Sequence, residues 1–62
     1  MIKLLVADDE KEMRNSIKNL IDWNAYDIMI CGEAANGKEA LELINAYSPD
    51  IMIIDIRMPV VN

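Results

Sequence analysis

Three short, nearly unbroken apolar runs most constrain what this chain can fold into: Ile2-Lys3-Leu4-Leu5-Val6-Ala7, Ile28-Met29-Ile30-Cys31 and Ile51-Met52-Ile53-Ile54. A strand covered on one face alternates apolar and polar residues. A run without alternation suits a strand buried on both faces, as in a parallel sheet between helices. The second run can extend to Ala34, and the third ends at Asp55. Between the first two runs, Met13, Ile17, Leu20 and Ile21 recur at i, i+4, i+7 and i+8. That spacing makes one helical stripe with Lys, Arg, Asn and Glu opposite. Asp22-Trp23-Asn24-Ala25-Tyr26-Asp27 is aperiodic and reads as a loop. Asn36-Gly37 opens a second helix with Asn36 as N-cap. Ala40, Leu41, Ile44 and Tyr47 form its expected buried stripe, with Leu43 beside them. Ser48-Pro49-Asp50 stops it, because proline disfavours helical geometry in the residue before it. The order is βαβαβ, with connections long enough for right-handed crossovers: one mononucleotide-sized half of a doubly wound α/β sheet.

At 62 residues the chain is one domain at most. A chain of about this length buries only about 60% of its unfolded surface, so its core is marginal without a staple or a partner. The single Cys31 cannot close an internal disulfide, and without histidine there is no Cys/His zinc cluster. Within its apolar run Cys31 reads as a small buried hydrophobe. Met13, Met29 and Met52 sit at core-type positions and read as gap fillers. The apolar runs are far shorter than the ~20 residues a membrane helix needs, so no membrane partner is expected. Met1 leads directly into a strand, without a signal peptide's basic start, and low cysteine usage fits a cytoplasmic location. A net charge of −5 with six scattered Lys and Arg argues against a nucleic-acid surface.

Functional groups of open parallel sheets collect at the carboxyl ends of the strands. Asp8 and Asp9 follow the first run and Asp55 the third. If those strands are neighbours, three carboxylates converge, and their repulsion calls for an opposite charge. A hard divalent cation with oxygen ligands supplies it; Mg2+ takes one or two carboxylates and leaves room for a phosphate. Aspartate can also act as a nucleophile toward phosphorus. Bland readings stand beside this one. Asp9 and Glu12 have the spacing of a capping box, and Asp55 could simply start a loop.

Leu4-Leu5-Val6-Ala7-Asp8-Asp9-Glu10, Gly32-Glu33-Ala34-Ala35-Asn36-Gly37-Lys38-Glu39-Ala40-Leu41 and Pro49-Asp50-Ile51-Met52-Ile53-Ile54-Asp55-Ile56-Arg57-Met58-Pro59 together resemble the receiver domain of two-component response regulators. The three motifs occur in the family's order and spacing, and the resemblance covers essentially the whole chain. It implies a flavodoxin-like sheet of strand order 2-1-3, with residues 1–62 a partial receiver domain that ends before the family's fourth and fifth strands. It implies that a sensor histidine kinase supplies a phosphoryl group to Asp55. Asp9 is then the direct Mg2+ ligand, Asp8 acts through bound water, and Asp55 and the main-chain carbonyl of Arg57 complete the set. The family's fourth strand ends in Ser or Thr and its fifth in Lys, both on the phosphoryl group. None of Lys3, Lys11, Lys18 and Lys38 matches that lysine by position. Phosphoryl uptake by this piece alone is therefore expected to be slow or absent. Ile21-Asp22-Trp23 is similar to receivers whose output module is an AraC-type helix-turn-helix, which implies control of transcription and DNA contact through that module only. Trp23 also reads plainly as a ring packed beneath the end of the first helix.

A metal-dependent phosphatase of the haloacid-dehalogenase type would have an aspartate general acid two residues after its nucleophile. Here that place is Arg57, which does not give up its proton, so the chain does not read as an enzyme. A nucleotide or flavin binder would have a Gly-rich or hydroxyl-rich loop where Asp8-Asp9-Glu10 stands. The remaining alternative is a truncated fragment that folds or self-associates without phosphotransfer. Ile51-Met52-Ile53-Ile54 carries no lysine, proline or charge to protect a sheet edge, so self-association through the third strand is expected.

Overall fold

A computed structural model describes residues 1–55 of the chain. Its elements are β1 (Ile2–Asp8), α1 (Lys11–Lys18), a 3-10 turn (Trp23–Tyr26), β2 (Ile28–Ala34), α2 (Gly37–Tyr47) and β3 (Ile51–Asp55). The sheet has three strands in the order β2-β1-β3, and both pairings are parallel. This is the α/β, flavodoxin-like arrangement the apolar runs and the resemblance imply.

The central strand carries the core. Leu4, Leu5 and Val6 are fully buried, with Ala7 beside them. Side chains alternate across a sheet, so the two faces of β1 differ. Ala7 packs with Ala34, Ala40 and Leu43, which places α2 on the face of Leu5 and Ala7. Leu4, Val6 and Asp8 belong to the other face, and α1 lies there: Arg14 and Lys18 of α1 both reach Glu33, the β2 partner of Val6. The β1–β2 register slips between Leu4 and Leu5, which pair with Ile30 and Gly32, so Cys31 is an extra residue in β2. It is half-buried, not the fully buried hydrophobe expected, because a bulged residue leaves the ladder.

The ends of the elements are set by specific hydrogen bonds. Asn36 caps α2 as expected, its Oδ1 accepting from the Glu39 N–H at 2.9 Å, while Glu39 Oε1 accepts from the Ala35 N–H at 2.7 Å. The two bonds satisfy donors at the start of the helix reciprocally. Ser48 ends it with φ 48°, immediately before Pro49. The start of β3 is clamped to β1: the Lys3 N–H donates to Asp50 Oδ2 and the Asp50 N–H to the Lys3 carbonyl, both at 2.8 Å.

Helix α1 is shorter than its periodicity. It ends at Lys18, leaving Leu20 70% and Ile21 41% exposed rather than in a buried stripe. The Ile17 carbonyl accepts from the Leu20 N–H and from the Trp23 indole N–H, which closes the helix there. Trp23 thus lies under the end of α1, as read, but within a 3-10 turn rather than an aperiodic loop. On α2, Ala40 and Leu43 pack inward and Ile44 is half-buried; Leu41 and Tyr47 are exposed, against expectation. Met13, Met29 and Met52 are exposed as well, so they fill no gap in this core. Among the described residues the sheet has three strands, and of these β1 alone has neighbours on both sides.

Candidate functional site

The β1–β3 register runs from Leu4↔Ile51 to Asp8↔Asp55. Register partners in a parallel pair share a face, so Asp8 and Asp55 stand side by side at the carboxyl end of the sheet, on the α1 face. The clamp between Lys3 and Asp50 sets this pairing. A slip of one residue would send Asp55 to the opposite face.

The two acids differ in setting. Asp8 is 3% exposed, the one buried charged residue among those described. Its Oδ1 accepts from the Glu10 N–H at 2.8 Å, which fixes the carboxylate over the turn that follows β1. Asp55 is exposed, as is Asp9 next to Asp8. The residue at the N-cap of α1 is Glu10, without a side-chain cap hydrogen bond, so Asp9 does not cap the helix in a box with Glu12. Arg57, the fourth expected ligand, lies outside the described residues.

Among the described residues the ion pairs are Arg14–Glu33 and Lys18–Glu33, and neither cation pairs with Asp8, Asp9 or Asp55. Glu33 takes both: the hydrogen bond from Lys18, then that from Arg14, holds its carboxyl below the usual value. The three carboxylates are therefore left without an ion-pair partner among these residues, although the Arg14 guanidinium stands at the Asp8 main-chain carbonyl. Among the same residues no three acids, cysteines or histidines stand grouped as a ready metal cage. Asp8 and Asp55 side by side, with open solvent at Asp55, do match the donor chemistry of Mg2+, which takes few protein oxygens and keeps its waters. Sequence reasoning passed over Arg14, whose Nη1 donates to the Asp8 main-chain carbonyl at 2.7 Å. Its position on the polar side of the α1 pattern was the signal available.

No helix among the described residues is long and apolar enough to cross a membrane. Residues 4–62 match the family model of the response regulator receiver domain. The chain is 45% identical, over its full length, to a protein-glutamate methylesterase/protein-glutamine glutaminase of Bacillus licheniformis, and covers 17% of that protein. It is 41% identical over 95% of its length to the transcriptional regulatory protein HptR of Staphylococcus aureus, covering 23% of it. Among solved structures it resembles the REC domain of AraT, a response regulator from Geobacillus stearothermophilus, with a TM-score of 0.87 and 39% identity over 98% of this chain and 47% of that one. The chain thus spans about a fifth of the curated relatives it matches and about half of a solved receiver. With the sheet order, the paired acids and the family match in agreement, the chain belongs to the response regulator receiver domain family of two-component systems.

Proposed function

We propose that this chain is the phosphoacceptor part of a response regulator, taking a phosphoryl group from a sensor histidine kinase onto Asp55. The observation that carries this reading is the pairing of exposed Asp55 with buried Asp8 at the carboxyl end of a parallel sheet. In the transfer, a carboxylate oxygen of Asp55 attacks phosphorus as the bond to the kinase's histidine nitrogen breaks. The imidazole departs with the bonding electrons and takes up a proton. Asp55 is exposed enough for that approach, whereas Asp8 is covered and its Oδ1 already accepts a hydrogen bond.

Mg2+ would be held by Asp8, Asp9 and Asp55, with the main-chain carbonyl of Arg57 as a further ligand. When bound, it offsets the negative charge gathered on the phosphoryl group. Asp8 and Asp9 hold and orient it; Asp55 supplies both a ligand oxygen and the nucleophile.

The setting is cytoplasmic and the output is control of transcription, as the name of the Staphylococcus aureus relative suggests. A net charge of −5 gives this piece no surface for DNA, so DNA would be reached through an output module. Self-association through the outer edge of β3 is supported by Ile51, Met52 and Ile54, each about half exposed there.

Long incubation with excess of a small acyl phosphate and Mg2+, followed by intact-mass and peptide mass spectrometry, tests the reading. The expected result is one added phosphoryl group, on Asp55, absent from Asp55→Asn and abolished by a chelator. A group found on another residue, or one that persists in Asp55→Asn, refutes it.

A further inference from the structure

Three hydrogen bonds close the turn that carries the acids. The Glu10 N–H donates to Asp8 Oδ1 at 2.8 Å, the Arg14 N–H to the Glu10 carbonyl at 3.1 Å, and Arg14 Nη1 to the Asp8 carbonyl at 2.7 Å. The last is made by a long side chain that is only 12% exposed. A second nitrogen is engaged too, Nε donating to Glu33 Oε1 at 2.9 Å. The guanidinium is thus held at both ends, by the β2 carboxylate and the β1 carbonyl. A planar fork fixed in this way imposes direction as well as charge.

We propose that Arg14 is a positioning residue for the acidic turn: it fixes the Asp8–Asp9 peptide plane, and so the place of the Asp9 carboxylate, without touching the cation. The inference rests on the reading that Asp8 and Asp9 hold Mg2+, and it makes a prediction that charge alone does not. A resident cation beside a cation site weakens binding by repulsion, so removing Arg14 would tighten Mg2+ if its charge were what mattered. If it holds the turn, removing it loosens Mg2+. Glu33 makes the second outcome the stronger one, because its carboxylate, shared with Lys18, already offsets part of the Arg14 charge. What Arg14 contributes at Asp8 is then mainly geometry.

The test compares Arg14→Met, Arg14→Lys and, as control, Lys18→Met, which loses its Glu33 contact but touches no part of the turn. Backbone amide NMR of the metal-free chains is recorded first, then a Mg2+ titration. Both Arg14 variants should shift the Asp9 and Glu10 amides and speed their hydrogen exchange, while Lys18→Met leaves them in place. Mg2+ affinity should fall roughly 10- to 100-fold in both, the usual effect of losing an outer partner of a metal ligand. Arg14→Lys keeps the charge and guards against a variant that fails to fold. Unmoved Asp9 and Glu10 amides, or tighter Mg2+ binding by Arg14→Met, overturn the proposal. A wild-type chain that binds no Mg2+ instead overturns the metal reading, and the metal-free amides still decide whether Arg14 holds the turn.

Discussion

Replacing Asp55 by asparagine should make the metal-free chain more stable. Asp8 and Asp55 are register partners on adjacent strands, and adjacent strands lie about 4.8 Å apart. Two unit charges about 5 Å apart repel by about 0.8 kcal/mol at the dielectric constant of water, and by about twice that at half the value. Asp8 is buried but Asp55 is open to solvent, so screening stays strong and a gain of about 1 kcal/mol is expected. For a domain of this size that is a rise in Tm of roughly 4–8 °C. Asparagine is nearly isosteric and keeps the residue polar, and no hydrogen bond to the Asp55 side chain exists among the described residues to be lost. Thermal unfolding followed by circular dichroism in chelator at low salt measures the effect. In ~1 M salt, where the Debye length falls to about 3 Å, the difference should shrink. Adding Mg2+ should raise the Tm of the wild type more than that of the variant. A variant no more stable than the wild type at low salt would show that the two carboxylates do not repel, and the pocket would lose its electrostatic rationale.

Glu33 should tie stability to acid pH. Its carboxyl is held below the usual 4.5, so its contribution is complete above that value and is lost as pH falls through the lowered one. Glu33→Gln should flatten that part of the stability–pH curve, by less than about 1 kcal/mol because the pair is partly open to solvent; an unchanged curve in denaturant titrations would contradict this. Asn36→Ala should cost about 1 kcal/mol through loss of the α2 cap, seen as a lower denaturant midpoint, whereas Asn36→Ser should recover most of it.

The elements were legible where one physical signal dominated. Unalternated apolar runs marked the three described strands, and Asn36-Gly37, with Asn36 as N-cap, marked the start of α2. Asp8 and Asp55 were legible as ends of strands, and their meeting followed once β1 and β3 were neighbours. What was not legible depended on partners far along the chain. Periodicity carried α1 through Leu20 and Ile21, but the Trp23 indole closes it at Ile17. Leu41 and Tyr47 have the spacing of a core stripe, yet the helix turns Ala40 and Leu43 to the sheet. Arg14 looked like one more solvated charge, because its two partners come from different strands.

The extra residue in β2 works as a phase shifter. Paired without the slip, Leu5 would face Cys31 and Ala7 would face Glu33, putting a carboxylate on the side covered by α2. With Cys31 spliced in, Gly32 and Ala34 take those places instead. That side admits little bulk: a Cβ on Gly32 would stand 3.2 Å from a Leu43 methyl. The same half-step turns Glu33 to the side where Arg14 and Lys18 wait for it. One inserted residue therefore sorts the strand into a smooth bearing surface for one helix and an anchor point for the other. What matters is that one residue stays out of the ladder: deleting Cys31 would keep these pairings, whereas pairing it in register would exchange the faces of Gly32, Glu33 and Ala34.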